Sequence, residues 1–94
     1  MRVLWLCKAL KNLHDEAEYI AQDNPRAARD IVSKIESAVA RLSTHPAMGR
    51  AGRVAGTREL VVPNTPYIVP YCLKNGHIVV LRVFHGSRRW PERF

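Results

Sequence analysis

The sequence predicts an α+β domain of order β-α-α-β-β-β, with a helical hairpin packed on one face of a mostly antiparallel sheet. Three observations predict it. An unbroken 3-4 apolar stripe runs through Pro25–Leu42. Asp23-Asn24-Pro25 parts that helix from another just before it. Asn75-Gly76 stands between two apolar runs, the dipeptide that a type I′ hairpin turn favours. At 94 residues and 47% hydrophobic, the chain makes one domain, residues 1–94, with enough apolar surface for a packed core.

Each element has a local reason. Val3–Leu6 is a short apolar strand. Lys8–Ala21 follows with helical period, Leu10, Leu13, Ala17, Ile20 and Ala21 sharing one face, which puts Glu16 and Glu18 on the solvated side. Asn24 caps the second helix, and Pro25 suits its first position, where a missing N–H costs nothing. The second helix carries Ala28, Ile31, Val32, Ile35, Ala38, Val39 and Leu42 inward. Ser43–Gly56, rich in Pro, Gly and Arg, is a loop that exposes Arg50 and Arg53. Thr57–Val62 is a strand, broken by Pro63-Asn64-Thr65-Pro66. Tyr67–Lys74 and His77–His85 form the hairpin. Pro70 has no N–H for a ladder, so a bulge or an end of pairing is expected there.

The hairpin register sorts the side chains. With Leu73 opposite Ile78, the residues Val69, Tyr71, Leu73, Ile78, Val80 and Arg82 share one face, and Ile68, Pro70, Cys72, Val79, Leu81 and Val83 the other. Both faces are apolar, and two helices cover only one. The other is expected to receive a protein partner, or to be closed by the chain's own ends.

Fifteen Lys+Arg against eight Asp+Glu give +7 and a pI near 10.1, which favours an acidic partner such as nucleic acid, the ribosome or an acidic protein. Arginine outnumbers lysine eleven to four. Its planar fork of donors suits phosphate and carboxylate. Cys7 and Cys72 lie far apart with no CxxC or Cys/His spacing, so they are expected as packed thiols, with no metal and no cofactor. No run approaches the ~20 apolar residues of a membrane span, and the start lacks a signal-peptide pattern. A cytoplasmic protein that does not enter membranes is expected.

The ordered set YIAQDNPRAA, LSTHPAMGRAGRVAGTRELVV, PYIVPY and LRVFHGSRRWP resembles the RelE/ParE superfamily, toxins of bacterial type II toxin–antitoxin modules, along nearly the whole chain. The resemblance implies a cognate antitoxin that wraps the toxin and contacts operator DNA on its behalf; Val69, Tyr71 and Val80 are the expected antitoxin contacts. Two targets are open. RelE-like members cleave mRNA in the ribosomal A site, the ribose 2′-OH attacking the adjacent phosphate without metal. ParE-like members inhibit DNA gyrase and carry no nuclease site.

For the cleavage reading, the resemblance places Arg58 and Arg82 where such nucleases carry phosphate-facing arginines, which would offset the charge of the phosphorane. His85 ends the last strand, where an imidazole suits proton transfer near neutral pH or serves as a hydrogen-bonding strand end. Arg50, Arg53, Arg88 and Arg89 are candidate substrate contacts; Trp90 stacks on a base or packs over the sheet. Mechanisms of this class often use a tyrosine near the C-terminus. The expected function is ribosome-dependent mRNA cleavage; because this chain has no tyrosine there, gyrase inhibition without chemistry stands as the alternative.

Overall fold

The computed structural model describes residues 1–88 together with Trp90 and Phe94; Arg89, an expected substrate contact, and Pro91 lie outside the described residues. The chain runs β1 (Arg2–Trp5), α1 (Cys7–Ala21), α2 (Pro25–Ala40), a 3-10 turn (Arg41–Ser43), β2 (Arg50–Ala51), β3 (Arg58–Val61), β4 (Tyr67–Lys74), β5 (His77–Val80) and β6 (Phe84–His85). The strands form one mixed sheet ordered β1-β5-β4-β3-β2, with β6 also paired to β4. β1 lies parallel to β5; the other pairings are antiparallel. The expected α+β arrangement of a helical pair on a mostly antiparallel sheet is the fold observed.

Local chemistry accounts for the junctions. Asn24 Oδ1 accepts from Ala27 N at 3.1 Å and Pro25 opens α2, a cap worth about 1 kcal/mol. Asn75 and Gly76 both take positive φ, 52° and 76°, as a type I′ turn demands. Leu73 pairs with Ile78, the expected register. Paired residues share a side, so Val69, Tyr71, Ile78 and Val80 face the helices and meet Ala9, Ile35, Val39 and Leu42 in the core.

The structure departs from the sequence expectation in three places. β2 forms inside the segment expected as loop, because Arg50 and Ala51 pair with Glu59 and Arg58. The last strand is broken after Val80. From Tyr71↔Val80 to Ile68↔Phe84, β4 advances three residues (71 to 68) and its partner four (80 to 84). The extra residue is a bulge opposite Pro70, whose carbonyl still accepts from Leu81 N at 2.9 Å. The slip turns Val83 into the core at 2% exposure and takes Arg82 off the Val80 side, the reverse of the expected order for both. Finally, α1 is rotated from the expected stripe. Ala9 and Glu16 are buried while Leu10 is half-exposed, and Cys7 opens the helix as an exposed thiol instead of a packed one.

The sheet face away from the helices is only half open. Ile68, Pro70 and Glu59 are buried there, with Phe84 registered against Ile68, Trp90 stacked on Phe84, and Arg50 and Arg53 closing on Glu59, whereas Leu4, Cys72, Val79 and Leu81 stay partly accessible. The chain's own C-terminal residues thus close part of the surface expected for a partner. No helix among the described residues is long and apolar enough to cross a membrane.

Candidate functional site

Arg58 and Tyr71 are cross-strand partners on the helix-facing side. Tyr71, fully buried, donates its hydroxyl to Pro46 O at 2.8 Å and accepts from Gly49 N at 2.8 Å. Arg58 Nη1 donates to Gly49 O at 2.8 Å and to Ala47 O at 3.4 Å. Both residues therefore hold the turn that follows the 3-10 helix. Gly49 allows this, because a Cβ there would fall 2.6 Å from Tyr71 Cε1.

On the opposite side, Glu59 is the organising anion, with 2% exposure. Its Oε1 accepts from Arg50 Nε and Nη2 at 3.2 and 3.1 Å, and its Oε2 accepts from Arg53 N at 2.8 Å, with Arg53 Nε 3.7 Å away. Arg53 then lies over the Trp90 ring, 3.7 Å from the centroid, and Trp90 meets Phe84 at 4.8 Å. The guanidinium of Arg82 lies 6.0 Å from the Phe84 ring, and Phe84 is registered against Ile68 on the side away from the helices. Arg82 Nε is buried without an acceptor among the described residues. A carboxylate, three arginines and two aromatic rings thus form one layered platform.

A second cluster closes the gap between α1 and β6. Arg88 pairs with Glu16, and His85 packs edge-on to Tyr67 with centroids 5.6 Å apart. His85 Nδ1 lies 2.8 Å from Ser87 Oγ and accepts from Ser87 N at 3.2 Å. Burial above all, with the charge of Glu16 added and Arg88 opposing, pushes the Tyr67 hydroxyl above the usual tyrosine range.

Several expected placements change. Val69, Tyr71 and Val80, expected as antitoxin contacts, have no exposed surface, since they lie on the very face the helices cover. Arg58 and Arg82, expected to converge on one phosphate, attach to opposite sides of the sheet because of the bulge. Arg50, Arg53 and Arg88 are half-exposed but each is paired with a carboxylate. Trp90 is already stacked. Glu16, expected on the solvated side of α1, is buried and pairs with the half-exposed Arg88. Glu59, which the sequence offers as an ion-pair partner for its neighbour Arg58, is instead the counter-ion of Arg50 and Arg53, because adjacent residues of a strand point to opposite sides of the sheet.

The model of the ParE toxin of the type II toxin–antitoxin system parDE matches residues 3–90. The chain belongs to the ParE toxin family. The toxin candidate Y4kP of Sinorhizobium fredii (strain NBRC 101917 / NGR234) is 41% identical over 91 residues, covering 97% of this ParE-family chain and 94% of the relative. Toxin RelE2 of Caulobacter vibrioides (strain ATCC 19089 / CIP 103742 / CB 15) is 33% identical over 87 residues, covering 93% and 97%. A solved structure of the chromosomal ParDE system from P. aeruginosa superposes with a TM-score of 0.81 at 27% identity, over 90% of this chain and 95% of that one. This ParE-family protein is accordingly a toxin of a type II toxin–antitoxin system, a role that implies a cognate antitoxin as partner.

Proposed function

We propose that this toxin disables its target by binding it, as a ParE-like inhibitor of DNA gyrase, and carries out no phosphodiester chemistry. The separation of Arg58 from Arg82 carries the reading. Attack by a 2′-OH needs cations, a base and an acid within hydrogen-bond reach of one phosphate. Arg58 is committed to the carbonyls of Ala47 and Gly49, Arg82 lies against Phe84, and His85 turns to Ser87 and Tyr67. The platform of Arg53, Arg82, Phe84 and Trp90 is the surface offered to the target, cations and aromatic rings being the usual anchors of a binding interface.

Two measurements test it. Purified toxin should block supercoiling by gyrase in vitro. After induction, a pulse-label should show DNA synthesis failing and damage signalling rising while translation continues. Early loss of translation with cut mRNA sinks the reading.

A second reading, ribosome-dependent mRNA cleavage, draws on the likeness to the Caulobacter toxin that carries the RelE name. In it Arg58 and Arg82 offset phosphorane charge, His85 transfers a proton and Arg88 holds the substrate backbone. That reading requires Arg58 to leave its loop carbonyls when RNA binds.

A further inference from the structure

Arg2, His77 and Lys74 stand side by side across three neighbouring strands. Arg2 pairs with His77 between β1 and β5, and His77 pairs with Lys74 between β5 and β4. Paired residues share a side of the sheet, and successive residues along a strand alternate. Val3 and Ile78, paired one step along, pack on the core beneath the helices. The Arg2–His77–Lys74 row therefore points to the side away from the helices.

No acid answers this row among the described residues. Arg2 and Lys74 are exposed and enter no ion pair there. His77 Nδ1 is shut off from solvent and meets no hydrogen-bond partner among the same residues. Every described side-chain carboxylate except Glu59 belongs to the helices or the turn between them, and Glu59 is already held by Arg50 and Arg53. The next row along the strands, Leu4, Val79 and Cys72, is apolar and partly accessible. Cations on adjacent strands repel, so an arrangement of this kind weakens the sheet unless an anion lies over it.

We propose that this row binds the phosphate backbone of duplex DNA. Neighbouring strands lie about 4.8 Å apart, so the three groups spread over about 10 Å. A run of phosphates matches that length better than one free ion does. The guanidinium of Arg2 meets phosphate as a planar fork, the ammonium of Lys74 as a point charge, and the imidazole adds a donor when protonated. The row holds no Phe, Tyr or Trp on which unpaired bases could stack, which selects a duplex over a single strand. Such a contact positions the protein on DNA without reading its sequence. The inference goes beyond the choice between gyrase and mRNA as target and does not depend on it.

The test titrates free toxin, without antitoxin, into a fluorescent DNA duplex of random sequence and reads anisotropy over a range of salt. Affinity should fall steeply as salt rises, and the His77 ring signals should move in NMR spectra as the duplex is added. Arg2→Gln combined with Lys74→Gln should weaken binding about tenfold at low salt and flatten the salt dependence by about two units of slope, one for each lost phosphate contact. Both side chains are exposed, so the melting curve should not change. Arg26→Gln combined with Arg29→Gln removes the same charge from the exposed surface of α2 and should leave affinity within about twofold. Equal losses from the two pairs make binding a matter of net charge and overturn the site. Absence of binding at low salt, or His77 signals that stay in place, overturns it as well. Tighter binding of single-stranded RNA than of the duplex overturns the choice of ligand. If the Arg2 and Lys74 changes spare DNA binding but release a co-expressed antitoxin, the row serves protein carboxylates and the proposal fails.

Discussion

Arg58 and Tyr71 stand opposite each other across β3 and β4, and both spend their side-chain hydrogen bonds on one turn, Pro46–Gly49. The strand pair thereby fixes the chain where it leaves the helical layer for the sheet edge. Tyr71→Phe keeps the packed ring but strands the buried Gly49 N–H, a loss of about 1–3 kcal/mol. Gly49→Ala should do at least as much harm by driving a methyl into the same ring. Thermal melts of the two variants and of the pair check this. Because both act on one contact, the double variant should lose less than the sum. Strict additivity would refute the shared clamp.

Glu59→Gln removes the charge that Arg50 and Arg53 share while keeping the side chain's size. Hydrogen bonds to a charged group contribute about 1.5–3 kcal/mol, and the half-exposed arginines recover part of that in water, so a loss of roughly 1–2 kcal/mol is expected. The loss should reach Trp90. With Arg53 released from Glu59, the stack loosens, and the emission of Trp90 in a Trp5→Phe background should shift to the red. An unchanged spectrum would mean that Arg53 is held by Trp90 alone.

Much of the fold was legible because local chemistry and burial agree. The Asn24 cap, the α2 stripe, the Asn75-Gly76 turn and the Leu73–Ile78 register each follow from neighbouring residues, and each is observed. The candidate site was less legible for one reason. Alternation along the last strand assigned Arg82 to the Tyr71 side, yet a single extra residue opposite Pro70 reverses that assignment. Pro70 marked the bulge, but which residue it would displace depends on how Val83 packs against α1, where Asn12 Oδ1 accepts from Val83 N at 3.2 Å. Likewise, Glu16 reads as surface until Arg88, 72 residues on, is brought beside it.

Tyr67 should leave a mark at alkaline pH. Its phenol is buried, and its folded pKa lies above the ordinary 10.0. As pH rises past the unfolded value, the unfolded chain sheds a proton that the folded chain keeps, so stability falls until the folded value is passed. A titration of phenolate absorbance should show a late step that belongs to Tyr67. Tyr67→Phe should remove that step and shallow the alkaline fall in melting temperature. A variant that titrates like the parent would contradict the burial of this hydroxyl.

The two arginines offer the sharpest separation between binding and cutting. Residues that serve one phosphate act as a unit, so removing either costs nearly as much as removing both. Arg58 and Arg82 have no common partner: one holds Ala47 and Gly49, the other rests on Phe84. Arg58→Ala should therefore lower the melting temperature, by a loss of about 1–2 kcal/mol in the turn, yet leave target binding intact well below the transition. Arg82→Ala should do the reverse, since its buried Nε donates to no acceptor among the described residues. Its stability should stay within about 1 kcal/mol of the parent while inhibition of gyrase supercoiling weakens several-fold. The double variant should show both losses independently. If instead each single variant abolished RNA cleavage outright, with folding untouched and no further loss in the pair, the arginines would have to meet at one phosphate, and the opposed arrangement across the sheet would not be the working one.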